Sequence, residues 1–317
     1  MKNNWHKALH NALIKKDKGL FKKVPHTDLH CHSITSAPFS VFKEFSPGIK
    51  LPPRHFKNLE EFNLFIKNNI APVIKDINTV RHLIRAAFQR LVEEGVIYTE
   101  MSFDLLIPEY IRVSMEEYLE VITEEKKRVS KKLNVCIEAG IDREINPQYL
   151  LRLFKKSLKS NIFGSIDLYG NENTNPIEKF IDIYKLADRK NLKLKAHIGE
   201  FGTAQDVKKA IQKLNLHAIQ HGIAAAQSKE VVRLLIKKNI SLNICPYSNI
   251  ALGVVKNIVE HPIRRLFNEG VSVTVNSDDF SIFNKSVGEQ LINLYSQKIF
   301  SEKEIIKIIG NGLEQII

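Results

Sequence analysis

The chain has 317 residues, 44% of them hydrophobic, enough for a sizeable core, yet it has no run of about 18 apolar residues such as a membrane-spanning helix needs. The N-terminus, Met1-Lys2-Asn3-Asn4-Trp5, lacks the apolar stretch of a secretory signal. Three cysteines, Cys31, Cys136 and Cys245, are far apart and odd in number, which argues against a disulfide framework, so a cytoplasmic enzyme or binding protein is the expectation.

The formal net charge is +12, and residues 1–25 hold seven lysines against one acid, Asp17. Trp5, Ala8, Leu9, Ala12 and Leu13 have helical spacing, which predicts a basic N-terminal helix within residues 1–22. A solvated helix packed on the body, a nucleic-acid patch and a pocket for anionic small molecules would all use such charge. No stacking aromatics interleave with the lysines, which makes nucleic acid the weaker reading.

Beyond this segment, short apolar, β-branched runs predict strands at 24–30, 96–103, 134–139, 163–168, 192–196, 217–220, 241–244 and 271–275. Helical patterns separate them. "VRHLIRAAFQRLVEEG" closes on Gly95, and "SMEEYLEVITEEKKRVSKK" opens on Ser114 with acids early and lysines late, as capping and the helix dipole favour. Strand–helix alternation predicts a parallel sheet, and eight such strands predict an α/β chain folded as one (β/α)8 TIM-type barrel domain over 1–317. The connection from about 33 to 78 is too long for an ordinary loop and predicts a helical lid inserted after the first strand.

In such a barrel, reactive groups belong at the C-terminal ends of the strands. The first predicted strand ends in His30 and His32, the fourth in "DLYGNE", the fifth in "HIGE", the sixth in His221-Gly222, the seventh in "CPYSN" and the eighth in "NSDD". Side chains alternate along a strand, so His30 and His32 share one side while Cys31 points away. With His197 and a carboxylate from the last strand, they make a donor set suited to Zn²⁺ with a further position for water. The fourth strand ends in Tyr169-Gly170 and offers no bridging group, which favours a single metal. His221 is placed to hold the water proton, and Glu200 to protonate the departing group.

The motifs H-x-H, D-L-x-G-x-E, H-x-G-E, H-G, C-P-x-S-N and D-D, in this order, resemble the adenosine deaminase family of zinc amidohydrolases from about Phe21 to Val287. The resemblance implies a (β/α)8 barrel with one Zn²⁺ that hydrolyses the 6-amino group of adenine-type purines, giving an inosine-type product and ammonia. It assigns His30, His32, His197 and Asp278 as zinc ligands. It implies that Glu200 protonates the ring nitrogen beside the attacked carbon and that His221 holds and activates the hydroxide. Asp279 would meet the five-membered ring, and the Gly170 backbone another ring nitrogen.

The family follows H-x-H with Leu, then Asp, Asn or Glu, then Gly; here those positions are Ser33, Ile34 and Thr35. Ile34 cannot accept the hydrogen bond that an acid there accepts from the ribose 5′-hydroxyl, and losing a carboxylate removes repulsion against a 5′-phosphate. Ser33 and Thr35, with Ser36, then become donors to phosphate oxygens, and AMP or dAMP joins adenosine and deoxyadenosine as an expected substrate. Free adenine, a modified adenosine, another mononuclear amidohydrolase reaction, or a non-enzymatic nucleotide binder are the alternatives, and a homo-oligomer stays open. A cytidine-type site is excluded, because "CPYSN" has no second cysteine for P-C-x-x-C.

Overall fold

The structure is a computed structural model and describes residues 5–316. Eight parallel strands follow one another in space in chain order: β1 (His26–His32), β2 (Val96–Asp104), β3 (Asn134–Asp142), β4 (Phe163–Tyr169), β5 (Lys193–Ile198), β6 (Ala218–His221), β7 (Ser241–Ile244) and β8 (Val273–Val275). Helices lie between them, giving the (β/α)8 barrel that the alternation predicts. The ends of the sheet meet where Asp278 pairs with Cys31, its N–H donating to the His30 carbonyl at 3.0 Å. β1 starts two residues later than predicted and runs on to His32, which pairs with Ser102. Its register slips between Asp28 and Cys31, a local irregularity of the kind that re-aims side chains beside a site.

The basic N-terminal segment is two helices rather than one, Trp5–Lys15 and Lys18–Phe21, and residues 1–4 lie outside the described residues. Lys16 breaks the run with φ +53°, and the Asp17 carboxylate caps the second helix at the N–H groups of Gly19 and Leu20. Leu9, Ala12 and Leu13 are buried while Lys7, Lys15, Lys16 and Lys18 are exposed, so this charge faces solvent on a helix packed against the body.

Between β1 and the helix Ile77–Glu94 lie the helices Phe39–Phe45 and Leu59–Phe65, the latter continuing through a π turn at Ile66–Ile70. Asn58 caps Leu59–Phe65 and Asp76 caps Ile77–Glu94, each side chain accepting from a backbone N–H in the first turn. Gly95 closes Ile77–Glu94 at φ +84°, where a Cβ would stand 2.2 Å from the Lys22 carbonyl oxygen, so only glycine fits.

The inside of the barrel is unusually polar. Period-two alternation turns Glu100, Glu138 and Lys195 inward, each completely buried. Lys195 spends its three donors on Glu100 at 2.9 Å, on Glu138, and on the Leu29 carbonyl at 2.9 Å. Ser165 donates to Glu138 at 2.7 Å, and Lys193 and Tyr98 to Glu100. Such a network fixes one arrangement of the strands, because every buried charge in it has a partner.

Candidate active site

A cavity of about 630 Å³ opens over the C-terminal ends of the strands. Every residue that the sequence places in the site lines it or adjoins it. Its inner end carries His32, His197, Glu200, His221, Asp278 and Asp279, and its outer wall comes partly from the segment 59–74.

Two imidazoles define the inner end. His30 Nδ1 is 3.0 Å from the Asn243 carbonyl oxygen. A carbonyl only accepts, so Nδ1 carries the hydrogen and Nε2 presents its lone pair. His197 Nδ1 is 3.1 Å from Asp167. A carboxylate only accepts, so His197 carries its hydrogen on Nδ1 here and a neutral ring presents Nε2 as a lone pair. The two Nε2 atoms face each other at 2.9 Å. Two such lone pairs repel unless a cation lies between them. Asp278 Oδ1 stands 3.4 Å from His32 Nε2 and 3.7 Å from His30 Nε2. Ligands about 2.0–2.1 Å from a tetrahedral Zn²⁺ are roughly 3.3 Å apart, so the spacing of these donors fits a metal ion. Asp278 and His221 both adopt left-handed backbone, φ +60° and +59°, a strain that persists only where surroundings impose it.

Glu200 stands beside this donor set, 8% exposed, with Oε2 3.3 Å from His221 Nε2. Burial first, then the negative charges of Asp278 and Glu172, pushes its carboxyl well above the usual range, which favours the protonated form. Burial alone outweighs all other influences on His221 and lowers it to about 3, leaving a neutral imidazole. Glu172, present in the "DLYGNE" motif but given no task by the sequence, accepts from three backbone N–H groups, Gly199 at 2.7 Å, Glu200 at 2.9 Å and Phe201 at 2.8 Å. It clamps the loop that carries Glu200. Asn249, the last residue of the "CPYSN" stretch, reaches Glu200 Oε1 at 2.6 Å and His221 Nδ1 at 3.1 Å.

Gly170 lines the cavity at φ +99°, and a Cβ there would meet Asp142 Oδ1 at 2.9 Å. Ile34 lines the cavity and is 6% exposed. The Thr35 hydroxyl is engaged by Asp279 Oδ1, contrary to the expectation that it awaits a phosphate oxygen. Ser33 is buried beside them. Lys67 is the one lysine or arginine among those lining the cavity, which Asp104, Asp142 and Glu144 line as well. Burial raises Asp142 to about 6 and raises Asp104 as well. Phe280 lies 4.2 Å under the Arg90 guanidinium, whose Nε also donates to the Ser36 carbonyl, tying the loops after β8 and β1 together.

The sequence profile described as adenosine deaminase matches residues 37–316. A Treponema pallidum (strain Nichols) protein provisionally named adenosine/adenine deaminase is 31% identical over 284 residues, covering 89% of this chain and 95% of that one. The crystal structure of adenine deaminase from Arthrobacter aurescens superposes with a TM-score of 0.82 at 24% identity, over 92% of this chain and 94% of that one. The N6-methyl-AMP deaminase of Arabidopsis thaliana superposes with a TM-score of 0.79 at 20% identity, over 93% and 92%. Both structures share the barrel fold, while the profile and the Treponema relative carry the assignment. The chain belongs to the adenosine deaminase family and is a deaminase of adenosine/adenine type, a hydrolase of C–N bonds in cyclic amidines.

Proposed function

We propose that this chain binds one Zn²⁺ and hydrolyses the 6-amino group of an uncharged adenine compound, adenine or adenosine, to the 6-oxo purine and ammonia. The observation that carries the reading is the pair of lone-pair nitrogens, His30 Nε2 and His197 Nε2, facing each other at 2.9 Å, with the buried Glu200 carboxyl 3.3 Å from His221. His30, His32, His197 and Asp278 would hold the ion, which when bound lowers the pKa of water to about 7 and makes hydroxide available at neutral pH.

The protein's own groups then divide the work. Glu200 donates its proton to the ring nitrogen next to C6 and makes that carbon electrophilic. His221 holds the attacking oxygen against C6. The carboxylate left on Glu200 takes the hydroxyl proton of the tetrahedral adduct and passes it to the amino nitrogen, the carbon–nitrogen bond breaks with ammonia leaving, and the proton released from water restores Glu200. Asp279, with Oδ1 taken by Thr35, has Oδ2 for the five-membered ring. The Gly170 backbone approaches the opposite edge of the purine, where the absence of a Cβ leaves room.

The choice of an uncharged substrate rests on the acids that line the cavity. Asp104, Asp142 and Glu144 offer acceptors to the N–H of a free base or to sugar hydroxyls, and Lys67 is the one lysine or arginine among the lining residues to meet a phosphate. The loss of an acid at Ile34 favours the 5′-monophosphate, but the Thr35 hydroxyl beside it is taken by Asp279. Ammonia release from zinc-loaded protein decides between them. Adenine or adenosine should exceed AMP and dAMP at least about tenfold in kcat/KM, about 1.4 kcal/mol of discrimination. A monophosphate in the lead would overturn the substrate reading and leave the chemistry standing.

A further inference from the structure

His221 and Glu200 meet at one side chain, Asn249, which is itself held from behind by a histidine outside the catalytic motifs. The Ile263 N–H donates to His261 Nδ1 at 3.1 Å, so Nδ1 presents its lone pair. A neutral ring with one nitrogen accepting carries its hydrogen on the other, and burial keeps this ring neutral by lowering it to about 3. His261 Nε2, 3.1 Å from Asn249 Oδ1, is therefore the donor of that pair. This fixes which way the amide faces, with oxygen to His261 and nitrogen to the site. The amide nitrogen has only donors, one for Glu200 Oε1 at 2.6 Å and one for His221 Nδ1 at 3.1 Å. His221 Nδ1 must accept, and its hydrogen sits on Nε2, which is directed at Glu200 Oε2 at 3.3 Å and Asp278 Oδ2 at 3.7 Å. Asn249, His221 and His261 are all at most 3% exposed, so water does not compete for these bonds.

We infer that Asn249, anchored by His261, is a positioning residue that fixes the Nε2–H tautomer of His221 and the orientation of Glu200, so that His221 meets the attacking oxygen as a hydrogen-bond donor and not as the group that takes its proton. The consequence for turnover rests on the deaminase reading; the tautomer does not. Glu200 gains from the same contact: with Oε1 accepting from Asn249, its proton is confined to Oε2, the oxygen on the His221 side.

The test is imidazole ¹⁵N NMR on zinc-loaded protein, with His221 assigned by its absence in His221→Gln. Wild type should show His221 protonated at Nε2 and bare at Nδ1. Asn249→Leu should lose that pattern and lower kcat about 10²-fold while KM changes less than about threefold and zinc is retained, the size of effect that misplacing a reacting group produces. His261→Gln, whose amide can still donate to Asn249, should keep both tautomer and turnover, and His261→Leu should lose both in part. A wild-type His221 carrying its proton on Nδ1 would overturn the inference even if no Asn249 variant folds. So would an Asn249→Leu protein with wild-type tautomer and kcat. Absence of ammonia release from wild type, with the Nε2–H signature present, would instead strike the deaminase reading.

Discussion

Glu200 is a carboxyl whose use depends on keeping a proton at a pH where exposed carboxyls have lost theirs. Burial and the charges of Asp278 and Glu172 supply that condition. Because its value is raised, the protonated, working form persists to higher pH than in an exposed carboxyl and is lost as pH climbs through the raised value. Turnover should therefore fall on the alkaline side. In Glu200→Gln the side chain keeps its shape and can still donate a hydrogen bond, but it has no proton to transfer. We expect kcat to drop by about 10²–10⁴, the usual worth of a positioned acid, with zinc content unchanged. Retention of more than a tenth of wild-type kcat would show that the proton comes from elsewhere. Thr35 illustrates the opposite lesson at this scale. Its position after H-x-H suggested a ligand contact, yet the nearest demand on its hydroxyl comes from the protein's own Asp279.

Elements decide whether these side chains arrive together. The loop after β5 holds its shape because Glu172, from the end of β4, accepts from three consecutive N–H groups. In Glu172→Gln one oxygen is replaced by an amide that cannot accept, and the charge is lost. Each charge-assisted bond is worth about 1.5–3 kcal/mol, so the loop should loosen. We predict a fall in kcat of about tenfold or more, with zinc still bound through His197, checked by steady-state kinetics alongside metal analysis. Unchanged kcat would mean that the loop is held by other contacts. Most of this scale was legible beforehand. Ser241–Ile244 stands where its β-branched run puts it, and the strand-end groups His30, His197, His221 and Asp278 converge on one face because barrel topology requires it. What was not legible depends on pairing across distance. Asn249 meets a glutamate 49 residues away and a histidine 28 away, so its task appears only when β5, β6 and the helix after β7 are in place. The inward row of Glu100, Glu138 and Lys195 left a period-two polar trace inside apolar strands, a signal that pointed to an interior and not to its partners.

At the scale of the whole molecule, net charge and site charge part company. The sequence carries +12, but the described N-terminal lysines face solvent and the cavity is lined by more acids than lysines and arginines. A basic chain therefore says little here about the charge of its ligand. Metal binding should act on the whole fold, because the ligands come from β1, β5 and the segment after β8. An ion at 1,000 times its Kd adds about 4 kcal/mol to the folded state. Chelation should then lower Tm by about 5–10 °C at this chain size. A chelator-insensitive Tm would place the metal, if any, outside this site.

The central claim is that the facing nitrogens of His30 and His197 are two sides of one metal site. Anomalous diffraction at the zinc edge from crystals of the zinc-loaded protein tests it most directly. The account predicts one peak in the barrel mouth, about 2.0–2.2 Å from His30 Nε2, His32 Nε2, His197 Nε2 and an Asp278 oxygen. Two peaks there, or none between His30 and His197, would contradict it.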